Sequence, residues 1–173
     1  RATSPVRLVG ERRQSSLISI SGLICQHVSE RITMAFEWPL RVYIEDTDAG
    51  GIVFYANYLR YMERARSEWL RSFGFEQQAL MQAGVRFVVR DLNIRYRKAA
   101  VLDDQIVATT DLAEITKAGM TLNQTVIRRS ESAEKTEERT EELLVDAQVR
   151  VACINNEGRP AAIPADIVAL MKT

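Results

Sequence analysis

Glu45, Asp46 and Asp48 lie within four residues of one another, and Gly50-Gly51 follows at once. Beyond the glycines, the apolar run Ile52-Val53-Phe54-Tyr55-Ala56 leads into Asn57 and a long helical pattern. An acidic turn suits a helix N-terminus by charge and dipole alone. The same arrangement also suits chemistry at a carbonyl group. A Gly pair lets backbone approach a ligand closely. Unpaired N–H groups at a helix start can polarise a carbonyl oxygen and hold an oxyanion. An acid just upstream can then attack that carbonyl or activate water.

Other chemistries have fewer parts available. The chain holds one histidine, His27, and two cysteines, Cys25 and Cys153. His27 falls within residues 1–33, which carry five Arg and six Ser but no Lys and no Asp. The first Met is Met34, directly before the first patterned strand. These features predict a leader, residues 1–33, that is foreign to the domain or akin to an organellar transit segment, and a domain spanning residues 34–173. Without the leader no histidine remains. A Ser-His-Asp or Cys-His pair and a histidine-based zinc site are then excluded. Cys153 continues the alternation Val149-Val151-Cys153 and reads as a buried structural thiol. Two cysteines make neither a disulfide framework nor a metal site. No glycine-rich nucleotide loop is present. Acid–base work falls to carboxylates, Tyr or Lys.

The elements that must position these residues are legible in outline. With 46% hydrophobic and 27% charged residues, the 173-residue chain has the balance of one soluble domain. Lys plus Arg equals Asp plus Glu at 23 each, so no global field favours nucleic acid or membrane. No apolar stretch is long enough for a membrane span. Two cysteines without a disulfide framework fit a reducing, cytoplasmic setting. Residues 38–45 predict a strand with Leu40, Val42 and Ile44 on one side. Tyr58, Met62, Ala65, Trp69 and Phe73 recur at helical steps over 57–73, and Gly74 is a natural stop. Arg60, Glu63, Arg64, Arg66, Ser67 and Arg71 then face outward. A short helix over 75–83 follows. Strands are predicted over 85–97, 105–116, 119–130 and 143–154, with a hairpin at Lys117-Ala118-Gly119. The charge-rich stretch 131–142 reads as a solvated loop with frayed strand ends, and Pro164 opens a final helix over 165–171. One long helix with a run of antiparallel strands is an α+β layout.

Residues 41–71, RVYIEDTDAGGIVFYANYLRYMERARSEWLR, strongly resemble the 4-hydroxybenzoyl-CoA thioesterase family of hotdog proteins. The likeness is greatest to the Tol–Pal-associated acyl-CoA thioesterases of YbgC type, and extends more weakly over residues 36–170. It implies a hotdog fold, a long central helix wrapped by a curved antiparallel sheet. It implies hydrolysis of acyl-CoA, or of acyl-ACP, to free acid and carrier thiol, without cofactor or metal. It also implies a homodimer or tetramer with active sites at the dimer interface. Asp48 matches the catalytic Asp of that family, acting as nucleophile through an anhydride or as general base to water. Tyr55 occupies the position whose backbone N–H polarises the thioester carbonyl. Many Tol–Pal-type members carry His there, so a side-chain role does not carry over. Gly51 matches the glycine that lets the loop turn. Glu63 opens the E-R-A-R segment and is a candidate helix carboxylate, with structural ion pairing as the other reading. Of two basic clusters, Arg95, Arg97 and Lys98 on one side and Arg128 and Arg129 on the other, either could meet CoA phosphates, with solvated strand ends as the other reading. Two rival readings stand beside this one. A hotdog acyl-ACP dehydratase needs an active-site His that the domain lacks. A non-catalytic acyl-binding or partner protein of the cell-envelope Tol–Pal machinery fits less well with a complete acidic-loop motif.

Overall fold

Five runs, four of them carrying several β-branched residues, pair into one antiparallel sheet. The computed structural model describes residues 35–130 and 140–172. The strands are β1 (Phe36–Arg41), β2 (Arg86–Tyr96), β3 (Gln105–Thr116), β4 (Gly119–Ser130) and β5 (Thr140–Ile154), in the order β1-β3-β4-β5-β2. Register follows the apolar alternation, with Trp38 opposite Ala108, Leu122 opposite Val149 and Ile94 opposite Ala147. β-Bulges interrupt β2 after Val89, β3 after Leu112 and the β4–β5 pairing after Val126. Each adds local bend and twist to the sheet. The expected leader, with His27 and Cys25, lies outside the described residues, as does the charged stretch 131–139.

The long helix α1 (Asn57–Ser72) forms where the apolar stripe predicts it. Its buried side includes Tyr58, Tyr61, Met62, Ala65, Trp69 and Leu70, and it packs chiefly against β1, β3 and β4. Helices α2 (Gln77–Gln82) and α3 (Ala165–Met171) are short. The core divides along α1. Its N-terminal half shares a cluster with Val42, Val53, Ala100, Ile106, Val126 and Leu144. Its C-terminal half packs with Leu122, Val149, Cys153, Ile163, Ile167 and Met171. Cys153 is a buried free thiol, and burial pushes its pKa up. At the β3–β4 hairpin a Cβ on Gly119 would lie 2.6 Å from the Val151 carbonyl oxygen, so only glycine fits.

Three local expectations need correction. The first strand ends at Arg41 rather than residue 45. The Tyr43 amide donates to Asp46 Oδ2 at 2.9 Å, which winds Ile44–Asp46 into a 3₁₀ turn and leaves Ile44 72% exposed. Arg66 does not face outward. Its side chain is only 14% exposed and donates to the buried Gln124 amide oxygen at 2.6 Å. Finally, β5 begins at Thr140 instead of residue 143, so the frayed strand end expected there is regular strand. Glu141 and Glu142 can sit in a strand because Arg129 and Arg128 on β4 lie opposite and pair with them.

Candidate active site

Backbone hydrogen bonds shape the acidic loop between β1 and α1. The Asp48 amide donates to the Ile52 carbonyl at 2.9 Å, and the Gly51 amide returns to the Asp48 carbonyl at 3.0 Å. Gly51 closes this turn at φ +75°, a left-handed conformation that glycine adopts without a Cβ clash. The Gly50 amide donates to Asp48 Oδ1 at 2.7 Å, and the carboxylate lies over Gly50, where an added Cβ would be 3.1 Å from Oδ1. Asp48 is exposed, and its Oδ2 has no bonded partner among the described residues.

Asp46 anchors the loop. Its carboxylate caps the Tyr43 amide, while its carbonyl accepts from the Phe54 amide and from Asn57 Nδ2, each at 2.9 Å. Asn57 is buried, as its structural bond requires. The Asn57 amide donates to the Phe54 carbonyl at 2.8 Å. The Tyr55 amide between them has no acceptor among the described residues, as befits an amide at a helix start, where N–H groups lack intrahelical partners.

Three tyrosines line a hollow beside this donor, with Ile52, Arg97 and Lys98 at its edge. The Tyr96 hydroxyl donates to the Tyr55 carbonyl at 3.3 Å, and the Tyr58 hydroxyl accepts from the Ala100 amide at 2.8 Å. Burial raises the Tyr58 pKa above the ordinary phenol value. Tyr61 is buried near Asp46, and its hydroxyl has no partner at good hydrogen-bond geometry among the described residues. Burial, then the Asp46 carboxylate, pushes its pKa well up. Both phenols stay neutral.

Asp48, Gly51 and Tyr55 therefore share one loop, whereas Glu63 does not. Glu63 lies six residues after Asn57, roughly 9 Å along the helix axis. Its carboxylate pairs with Arg66, and it faces a separate cleft with Gln77 and Phe87. Most members of the basic clusters are ion-paired, and the two clusters meet at Glu142. Arg95 is exposed on β2, Arg97 pairs with Asp146 at 2.6 Å, and Lys98 pairs with Glu142. Arg128 binds Asp104 and Glu142, and Arg129 binds Glu37 and Glu141. Sequence reasoning missed Asp46, Asn57, Tyr58 and Tyr96 as parts of the site. Only the alternation Leu92-Ile94-Tyr96 hinted that Tyr96 shares a face with apolar residues.

The Thioesterase-like superfamily model matches residues 42–170. The chain belongs to this superfamily. It is similar to the acyl-CoA thioester hydrolase YbgC of Escherichia coli O6:H1, at 41% identity over 141 residues, 81% of this chain and 98% of that one. It is also similar to a probable thioesterase from Bartonella henselae, at 32% identity and a TM-score of 0.64, covering 75% of this chain and 99% of that one. The 4-hydroxybenzoyl CoA thioesterase from Pseudomonas sp. strain CBS-3 shares the fold, with a TM-score of 0.68 at 22% identity over 79% of this chain and 98% of that one. The helix-on-sheet architecture of this thioesterase-like chain is thus the hotdog fold. Among its described residues, no group of three or more His, Cys, Asp and Glu side chains could share a metal ion.

Proposed function

We propose that the protein hydrolyses acyl-CoA thioesters to a free carboxylic acid and CoA. The observation that carries this reading is the unpaired Tyr55 amide in the same loop as the exposed Asp48 carboxylate. The thioester carbonyl oxygen accepts from Tyr55 N–H, which stabilises the charge that develops there. Asp48 either attacks the carbonyl carbon, giving an anhydride that water cleaves, or takes a proton from the attacking water. In both routes water supplies hydroxyl to the acyl group and a proton to the departing sulfur. Gly51 holds the turn, and Arg95, Arg97 and Lys98 offer the CoA phosphates a basic rim near the hollow. Glu63, held by Arg66, serves as a structural ion pair in this reading.

An assembly of two or four copies belongs to the same proposal. Among the described residues β2 is an edge strand with no neighbour on its outer side, and Val88, Val89, Leu92 and Tyr96 are exposed along it. Such an edge needs cover. Among the described residues no helix is long and apolar enough to cross a membrane, and we place the enzyme in the cytoplasm, beside the Tol–Pal machinery.

The deciding experiment measures thiol release by the purified chain across acyl-CoA chain lengths, aryl-CoAs and acyl-ACP. Turnover of acyl-CoA is the expected result, and no release from any thioester would overturn the proposal. Sedimentation should give a dimer or tetramer. A monomer near the chain mass of 19.6 kDa would sink the assembly.

A further inference from the structure

The geometry points to Arg128 as a positioning residue for the loop that carries Asp48, an inference that rests on the thioesterase reading above. Arg128 lies on β4, away from the acidic loop in sequence, and its side chain is 26% exposed. Its Nε donates to Asp104 Oδ2 at 2.9 Å, its Nη2 to the Ala99 carbonyl at 2.7 Å, and its Nη1 to Glu142. One planar fork thereby grips both ends of the turn 99–104. Asp104 Oδ2 also accepts from the Val101 amide at 2.8 Å, closing the turn from inside. Within it Asp103 holds φ at 66°, the only non-glycine positive φ among the described residues. A conformation of that kind persists only where its surroundings over-determine it.

Both ends of the acidic loop hang on this turn. On the β1 side, the Val42 amide donates to the Asp104 carbonyl at 3.0 Å, and the Asp103 amide donates to the Val42 carbonyl at 3.1 Å. On the α1 side, the Val53 amide donates to the Ala100 carbonyl at 2.9 Å, and Ile52 bridges Val101. Ile52 in turn receives the Asp48 amide. A continuous path runs from Arg128 through Asp104, Val101 and Ile52 to Asp48. Tyr58 joins it at the Ala100 amide. Arg128 has carboxylate and carbonyl acceptors on all three of its nitrogens. It therefore acts on the loop from behind instead of reaching for a CoA phosphate. Lysine cannot replace it, because a point charge does not bridge a carboxylate and a carbonyl in fixed geometry.

Small displacements of a reacting group are expensive. A shift of about 1 Å can lower turnover by roughly 10²-fold. Arg128→Met should lower kcat by about 10–100-fold, while KM for acyl-CoA moves by less than about threefold. A truncated thioester such as acyl-N-acetylcysteamine, which lacks the nucleotide phosphates, separates positioning from phosphate contact. Positioning lowers kcat for both substrates by the same factor. A raised KM for acyl-CoA with the truncated substrate unaffected would overturn the inference. Hydrogen exchange supplies a readout independent of activity. In the Met variant the Val42, Asp48 and Val53 amides should exchange faster, while Leu122 and Val149 keep wild-type protection. Unchanged loop protection would overturn the inference too. Arg128→Lys guards against loss of the fold: it keeps the charge, yet should show the same selective loss of loop protection. If the wild type cleaved no thioester, the thioesterase reading would fall, and exchange would still decide whether Arg128 holds the loop.

Discussion

At the N-terminal end of α1, Asn57 and Tyr58 reach side-chain hydrogen bonds to Asp46 and Ala100, and an ion-paired arginine stands behind the turn they hold. At the C-terminal end, Trp69 and Leu70 meet Leu122, Val149, Ile163 and Ile167, and Trp69 stacks edge-on against Phe73 at 5.4 Å. Both ends pack in apolar clusters, but the N-terminal end adds side-chain hydrogen bonds to the loop and to the turn behind it. Apolar packing is dense and nearly non-directional, so it fixes how much is buried more firmly than where each atom points. Hydrogen bonds fix distances and angles. The end that must aim a carboxylate and an amide at one carbonyl is the end where directional bonds to the loop are added to the packing.

The largest expected effect lies at the N-terminal end and is confined to turnover. Asp48→Asn should lower kcat by roughly 10²–10⁴-fold, the range for losing an acid–base group, with KM and the thermal midpoint close to wild type. Asp46→Asn is the control, since its amide oxygen can still accept from Tyr43. Equal losses in both variants would mean that the loop works through its total charge, and the contrast between anchoring Asp46 and reacting Asp48 would collapse. At the other end the expected pattern reverses. Ile167→Ala on α3 should destabilise the fold by about 2–5 kcal/mol, the usual cost of such a cavity. Calorimetry should show the lowered midpoint, and kcat at a temperature where the fold persists should stay near wild type. A matching fall in kcat would show that the two ends are not separable. The smallest effect concerns acid. Pairing with Lys98, then with Arg128, lowers the Glu142 pKa. A lowered folded pKa adds stability above the ordinary carboxylate range, and that stability is lost as pH falls through the folded value. Glu142→Gln should therefore lower the thermal midpoint at pH 7 and match wild type at strongly acidic pH. A gap that persisted in acid would assign the loss to packing instead of charge.

Local pattern carried most of the fold. The helical stripe from Tyr58 to Trp69 placed α1, and Lys117-Ala118-Gly119 placed the hairpin, because both signals come from neighbours in sequence. Partners far apart in sequence were invisible. Arg66 looked outward by periodicity, since nothing local announces Gln124, 58 residues away. Arg128 and Arg129 looked like a free basic cluster because their carboxylates, Asp104, Glu142, Glu37 and Glu141, come from other strands and turns. The acidic loop stood out as a motif. Its suspension from residues 99–104 did not, because backbone-to-backbone bonds leave little trace in side-chain identity.

Gln124 sits at the seam between the two apolar clusters, and it limits how α1 can be placed. Its Nε2 donates to the Met62 carbonyl at 3.1 Å, to Thr110 Oγ1 at 2.8 Å and to the Thr109 carbonyl at 3.3 Å, while its Oε1 takes Arg66. An apolar seam alone tolerates neighbouring settings of a helix on a sheet, because other ridges also fit the groove. Moving α1 along by one residue would present a different carbonyl, turned by roughly 100° about the axis. The amide would then lose its helix partner inside the core, where an unmet polar group is costly. Gln124 thus selects one phase of the helix from several that would bury similar area. Its neighbours can exchange one aliphatic side chain for another, by drift or by design, without the helix losing its angular setting, so long as this one amide stays in place.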